Sequence, residues 1–156
     1  MAKVKLLVMD VDGTMTDGCI YMGADGEVLK SFSVQDGYGI VHILPELGIL
    51  PVVMTGRRSQ IVERRAGELK IKHLYQGVAD KLDLLKKLAA ELQIAPEEIA
   101  FIGDDLIDMD CIRYCGVTAC PADAVPEVLA EVNYICRRGG GKGAVREFID
   151  WLKKTN

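Results

Sequence analysis

Two aspartates separated by one residue, Asp10 and Asp12, follow a short apolar run from Lys5 to Met9, and Gly13 comes directly after them. Two carboxylates held this close repel each other, and burial adds to the cost. A divalent cation removes that cost, and hard carboxylate oxygens are the ligands that magnesium prefers. The pattern therefore predicts a magnesium-dependent reaction centre.

More polar groups stand just beyond three later apolar runs. They are Thr55 and Gly56 after residues 49–54, Lys81 shortly after residues 73–77, and Asp104, Asp105 and Asp108 after residues 99–102. In an open α/β sheet, ligands bind at the carboxyl ends of the strands, so these groups are expected to meet there. Carboxylates, a hydroxyl, an ammonium and free backbone N–H groups are what phosphoryl transfer requires.

Roles follow from that chemistry. Asp10 is the predicted nucleophile and would form an aspartyl-phosphate. Asp12 would protonate the leaving alcohol and later activate water. Thr55 and Lys81 would hold the phosphoryl group and neutralise its charge. Each of these residues alone is compatible with a turn, a helix start or a helix cap; their joint order along the chain favours catalysis.

Strands that alternate with helices must position these residues. Short apolar runs bounded by turn formers alternate with amphipathic segments, which predicts an α/β fold with a Rossmann-like parallel sheet flanked by helices. Residues 16–34 instead predict a β-hairpin, with residues 20–22 facing residues 28–32 across a loop at 23–26. Helices are predicted at residues 38–47, 59–69, 80–92, 109–114, 126–131 and 144–153. Further strands are predicted at residues 49–54, 73–77, 99–102, 117–120 and 134–136. All of these elements are expected to form one domain over residues 1–156.

Composition excludes several classes of protein. The apolar fraction of 49% and the charged fraction of 27% are typical of a globular chain, and the formal charge of −4 argues against binding to nucleic acid or to anionic membranes. The amino-terminal apolar run is too short for a signal peptide, so we expect a cytoplasmic protein. The five cysteines lack metal-site spacing and are predicted to be free thiols.

The ordered motifs from Asp10 to Thr14, Thr55-Gly56, Lys81 and Gly103 to Asp108 resemble those of the haloacid dehalogenase superfamily of phosphatases. The resemblance implies Asp10 as nucleophile and Asp12 as general acid/base. It also implies magnesium held by the Asp10 carboxylate, the Asp12 backbone carbonyl and Asp104. Asp105 and Asp108 would support that site.

Further segments resemble the family of 3-deoxy-D-manno-octulosonate 8-phosphate (KDO 8-phosphate) phosphatases, which act in lipopolysaccharide synthesis. The segments are residues 16–18, 32–40, 55–57, 73–77 and 140–147. Members lack a cap domain, and the 41 residues between Asp12 and Met54 leave room only for a hairpin and a helix. The resemblance implies a homotetramer in which hairpins form a central barrel, with a mobile glycine-rich tail at residues 137–154.

The expected substrate is a small sugar acid phosphate. Gly13 and Gly56 would contact it, together with the basic residues Arg57, Arg65 and Lys142, with Arg138 as an alternative to Lys142. Arg57 favours the eight-carbon acid, because related enzymes that act on nine-carbon sialic-type acid 9-phosphates carry glutamate there. Gln35 departs from the arginine of many octulosonate enzymes. A nine-carbon substrate, a receiver-like domain and a non-catalytic phosphate-binding module stay open as alternatives.

Overall fold

A six-stranded parallel sheet forms the centre of the molecule in the computed structural model, which describes residues 3–156. Its spatial order is β5-β4-β1-β6-β7-β8, so successive strands are added first on one side of β1 and then on the other. A crevice forms where the order reverses, beyond the carboxyl ends of β1, β4 and β6. The six strands are β1 (Leu6–Met9), β4 (Leu50–Met54), β5 (His73–Tyr75), β6 (Ile99–Ile102), β7 (Val117–Cys120) and β8 (Tyr134–Ile135).

Strand β1 lies at the centre of this sheet and all four of its residues are buried. Its last residue, Met9, pairs with Val53 of β4 and with Ile102 of β6, so the three strands end at nearly the same level. Alternate side chains of β1 enter two apolar layers, one on each face. Both faces are therefore covered, as the continuous apolar run predicted.

The hairpin forms a separate two-stranded antiparallel sheet of β2 (Tyr21–Gly23) and β3 (Gly26–Leu29). Because Gly23 pairs with Gly26, the connection is only two residues long. Strand β2 is one residue further along the chain than predicted, and β3 begins two residues earlier and ends three residues earlier than predicted. An isolated bridge between Thr16 and Phe32 closes the base of the hairpin. In the described chain the interval from Asp12 to Met54 contains only most of the turn at Val11–Met15 (here called the reaction-centre turn, because it includes the predicted general acid Asp12), this hairpin, one helical segment and β4. The expectation of a fold without a cap domain is confirmed.

The helical segment after the hairpin begins earlier than predicted. It comprises α1 (Val34–Tyr38), a π-helical turn (Gly39–Ile43) and α2 (Leu44–Leu47). The predicted start at Tyr38 was wrong, because the Ser33 side chain accepts a hydrogen bond from Asp36 N (3.4 Å) and caps the helix there. Asp36 and Gly37, which precede the predicted start, therefore lie inside the first helical turn.

The other helices lie within two residues of their predicted bounds. They are α3 (Gln60–Glu68), α4 (Lys81–Leu92), α5 (Met109–Tyr114), α6 (Pro126–Glu131) and α7 (Ala144–Thr155). Short 3-10 turns precede β6 and α5. Within residues 3–156, none of the helices combines the length and apolar character that crossing a membrane requires.

Candidate active site

Asp10 is the first residue beyond β1 and is 4% exposed. Its backbone N–H donates to the Ile102 carbonyl (3.1 Å), which holds it at the end of the sheet. The Lys81 ammonium donates to Asp10 Oδ1 (2.6 Å) and to Asp108 Oδ1 (2.8 Å). Lys81 is the first residue of α4, whose N-cap Asp80 accepts from Asp83 N (2.9 Å). The capped helix start thus brings a buried cation between two buried carboxylates.

Three carboxylates form the centre of the site. Oxygen atoms of Asp10, Asp104 and Asp108 lie within 4.8 Å of one another. Burial raises the pKa of Asp10 well above its usual range and the charge of Asp108 adds to this, whereas Lys81 opposes it. Burial also raises the pKa of Asp104 to about 6. Crowded carboxylates that resist ionisation gain most from a divalent cation.

The Asp108 carboxylate has no oxygen free to bind a metal, because both of its oxygens accept hydrogen bonds. Oδ1 accepts from Lys81, and Oδ2 accepts from the backbone N–H groups of Asp104 (3.0 Å) and Asp105 (3.3 Å). A Cβ at Gly103 would lie 2.4 Å from that Oδ2, so only glycine allows this approach. Asp108 therefore orients the loop that carries Asp104 and Asp105, and its support of a magnesium site stays a prediction.

Asp10 and Asp104 each retain one oxygen for a cation. Within residues 3–156 no donor is bonded to Oδ2 of either side chain, while Oδ1 of Asp104 accepts from Thr14 Oγ1 (2.9 Å). A Cβ at Gly13, where φ is +94°, would lie 2.0 Å from Asp104 Oδ2. The donor set of hard oxygens fits magnesium. The predicted contact through the Asp12 backbone carbonyl stays a prediction.

Asp12 lies beside this cluster, and its carboxylate is directed to the hairpin. Lys30 Nζ lies 2.6 Å from Asp12 Oδ1. Thr55 is buried at the end of β4, where its backbone N–H donates to the Tyr75 carbonyl (3.0 Å), and Gly56 is exposed next to it. No hydrogen bond found within residues 3–156 involves the Thr55 hydroxyl, which leaves it free for a phosphoryl oxygen.

The remaining predicted residues divide into two groups. Arg57 is half exposed at the mouth of the site, 3.6 Å from Glu27, and Lys142 is exposed on the glycine-rich loop. Arg65 instead stacks on the Phe32 ring (5.6 Å) and lies near Glu68 (3.3 Å), away from the carboxylate cluster.

Two other contacts limit what the sequence predicted. The exposed Asp105 caps the next turn by accepting from Leu106 N (2.7 Å), so its carboxylate does not join the cluster. The Gly13 N–H already donates to Thr16 Oγ1 (3.2 Å), which weakens the prediction that Gly13 contacts the substrate through this group.

The glycine-rich loop at residues 139–143 packs on the reaction-centre turn. Gly141 N donates to the Thr14 carbonyl (3.1 Å), and a Cβ at Gly140 would lie 2.0 Å from the Gly13 carbonyl oxygen. Close approach of the two backbones explains why glycine stands at both positions. The N–H groups of Gly140, Gly141 and Lys142 already donate within the protein, which argues against the phosphate-binding geometry of a nucleotide-binding loop.

Sequence reasoning missed Thr14, Lys30, Glu27 and Ser59. The position of Thr14 directly after Asp-x-Asp-Gly was a signal that could have found it. No local pattern marks Glu27, which lies in β3, or Lys30, which directly follows that strand.

Known hydrolases resemble this chain in sequence over most of its length. A family model described as haloacid dehalogenase-like hydrolase matches residues 65–149. The chain is 49% identical over 151 residues to a 3-deoxy-D-manno-octulosonate 8-phosphate phosphatase of Yersinia pestis, covering 97% of this chain and 80% of the relative. It is 46% identical over 150 residues to the Escherichia coli K12 enzyme of that name, covering 96% and 79%.

A solved structure of the Moraxella catarrhalis phosphatase of the same name, in complex with magnesium ion, phosphate ion and KDO, superposes with a TM-score of 0.93. The two chains are 40% identical, and the match covers 98% of this chain and 87% of the other.

Proposed function

Since the chain belongs to the haloacid dehalogenase-like hydrolases, we propose that it hydrolyses KDO 8-phosphate to the free sugar acid and phosphate. The observation that carries this is the buried Asp10–Lys81–Asp108 arrangement beside Asp104, in a chain 49% identical to a phosphatase with that substrate in its name. The product places the enzyme in lipopolysaccharide synthesis. The cytoplasmic location and the single domain over residues 1–156 stay predictions from the sequence.

Asp10 attacks the phosphorus, forming an Oδ–P bond as the bond to the sugar oxygen breaks. Asp12 gives its proton to that leaving oxygen. It then takes a proton from water, which attacks the phosphorus, breaks the Oδ–P bond and regenerates Asp10. Lys81 lowers the pKa of Asp10 and so opposes the effect of burial, and together with Thr55 it would offset the charge of the phosphoryl group.

Magnesium is the cofactor, and Asp10, Asp104 and the Asp12 carbonyl would hold it. When bound, it neutralises the carboxylates and the phosphoryl oxygens. Asp108 and Lys81 keep the two ligand carboxylates in position, because their hydrogen bonds leave little freedom at either strand end.

Arg57 is proposed to select the eight-carbon sugar acid by pairing with its carboxylate. A guanidinium presents two parallel donors that match a carboxylate. The side chain of Arg57 is 52% exposed and lies next to Gly56 at the phosphate end of the site. Lys142 could reach the same opening, whereas the packing of Arg65 on Phe32 is better explained as support for the start of α1.

A homotetramer is proposed, with the hairpin as the interface. The hairpin exposes a group of large apolar side chains, Ile20, Tyr21, Met22, Val28 and Leu29, with Met22 62% exposed. Isolated two-stranded hairpins are only marginally stable in water, so we expect other copies of the chain to cover these apolar side chains. Light scattering on the protein and on Met22→Glu tests this, and a monomeric wild-type protein would contradict it.

Phosphate release tests the function. With magnesium present, KDO 8-phosphate should be preferred over a sialic-type acid 9-phosphate and over a hexose phosphate. Arg57→Glu should lower kcat/KM for KDO 8-phosphate, while Arg64→Glu, at an 86% exposed arginine, serves as the matched control. Preference for the nine-carbon ester would overturn the substrate, and no release from any ester would overturn the enzyme assignment.

A further inference from the structure

Lys30 buries its ammonium although it follows a strand that is largely open to solvent. Its side chain is 1% exposed, whereas Val28 and Leu29, just before it, are 59% and 48% exposed. Burying a lysine costs free energy unless its charge is paired. A pairing partner is therefore expected, and the structure supplies two carboxylates.

The two partners of Lys30 are Asp12 and Glu27. Nζ donates to Asp12 Oδ1 (2.6 Å) and forms an ion pair with Glu27 Oε2 at 2.8 Å. Burial alone would lower the pKa of Lys30, but the two carboxylates raise it above its usual range overall. Lys30 is therefore charged at neutral pH, which keeps it attached to both partners.

Glu27 is itself held from the far side. Ser59, the residue before α3, donates its hydroxyl to Glu27 Oε1 (2.8 Å). Burial would raise the pKa of Glu27, but the Lys30 ammonium and the Ser59 hydroxyl bring it below its usual range. A continuous polar chain thus runs from the reaction-centre turn through the hairpin to α3.

This chain fixes one oxygen of Asp12 and leaves the other available. Within residues 3–156, Lys30 is the only hydrogen-bond donor to the Asp12 carboxylate, and it binds Oδ1. Oδ2 is then the oxygen that is left to face the leaving group. A general acid works only when its proton lies within hydrogen-bond reach of the leaving group.

We propose that Lys30, anchored by Glu27, is the positioning residue that aims the Asp12 carboxyl at the leaving oxygen of the substrate. This inference rests on the proposed phosphatase activity. Alkyl phosphates need the leaving oxygen protonated, whereas p-nitrophenyl phosphate has a leaving group that departs as a stable anion. Loss of Lys30 should therefore affect the alkyl ester selectively.

The test is Lys30→Met, assayed for kcat/KM with KDO 8-phosphate and with p-nitrophenyl phosphate. We expect a fall of at least about tenfold for the alkyl ester and less than about threefold for the aryl ester, since general acid catalysis contributes about 10²- to 10⁴-fold. In an Asp12→Asn background the same substitution should change the alkyl rate by less than about twofold, because coupled residues are not additive. Lys5→Met, which removes an exposed lysine paired with Glu98 at the amino end of β1, is the matched control.

Equal losses with both esters, or no loss with either, would overturn the positioning role. If Lys30→Met fails to fold by circular dichroism, Glu27→Gln is measured, since it removes the anchoring charge and keeps the shape of the side chain. Glu27 also lies 3.6 Å from Arg57, so a hexose phosphate, which has no carboxylate for Arg57 to bind, is then the alkyl ester in the ratio. A wild-type protein that releases phosphate from neither ester refutes the proposed function, and the inference falls with it. A wild-type protein that is active on both, with the ratio of the two rates unchanged in the variants, refutes the inference alone.

Discussion

Two lysines on helix α4 provide a direct test of how burial changes the contribution of an ion pair to the free energy of unfolding. Lys81 lies 2.6 Å from Asp10 and has a side chain that is 3% exposed. Lys87 lies 2.7 Å from Asp83 and is 74% exposed. The distances are alike, so a difference between Lys81→Met and Lys87→Met reports the surroundings of the two charges.

Lys81→Met should destabilise the fold by about 3 to 5 kcal/mol, the usual cost of removing one partner of a buried pair. Three carboxylates within 4.8 Å of one another would remain without their cation. Lys87→Met should leave the free energy of unfolding unchanged within error, because water and ions screen an exposed pair. Turnover of Lys81→Met should also fall by about 100-fold or more.

Urea unfolding at pH 8 without divalent ions measures this difference. The cost of Lys81→Met should shrink at pH 5, because the raised pKa values of Asp10 and Asp104 allow these carboxyls to take up protons and end their repulsion. Added magnesium should also restore part of the loss. Equal free energies of unfolding for the two variants at pH 8 would refute the reasoning.

Three more outcomes are expected. Asp10→Asn should abolish phosphate release without loss of stability, because it removes a carboxylate that burial and Asp108 hold at a raised pKa; residual activity above about a hundredth of wild type would exclude Asp10 as nucleophile. EDTA should silence the enzyme and magnesium restore it, and undiminished activity in EDTA would contradict the metal assignment. Burial raises the pKa of Asp36 to about 6, so the folded state favours its proton and stability should fall by up to about 3 kcal/mol as pH rises from about 4 to 7. Urea unfolding of Asp36→Asn, which keeps an acceptor for Arg146 N, should show a smaller fall, and an unchanged pH slope would be evidence against this.

The strand ends were predictable because their signals are local. An apolar run that stops at a carboxylate, a threonine or an aspartate pair marks both a strand and the polar group at its end. The parallel sheet then brings Asp10, Thr55 and Asp104 to one edge, so the sequence was sufficient to predict the fold class and the edge of the sheet at which these residues lie. The predicted start of α1 was wrong, although the Ser33 cap that sets the true start is also a local signal.

The sequence by itself determined which residues could act as nucleophile, acid and metal ligand. Only the tertiary structure decided which neighbour each one has. Asp12 and Lys30 are 18 residues apart, and no pattern of spacing indicates that the hairpin folds back over the reaction-centre turn. The Arg65 guanidinium is a group that could bind a substrate carboxylate, yet packing places it over the Phe32 ring. Side-chain direction depends on contacts between distant segments, and their free energies are settled only when the whole core has formed.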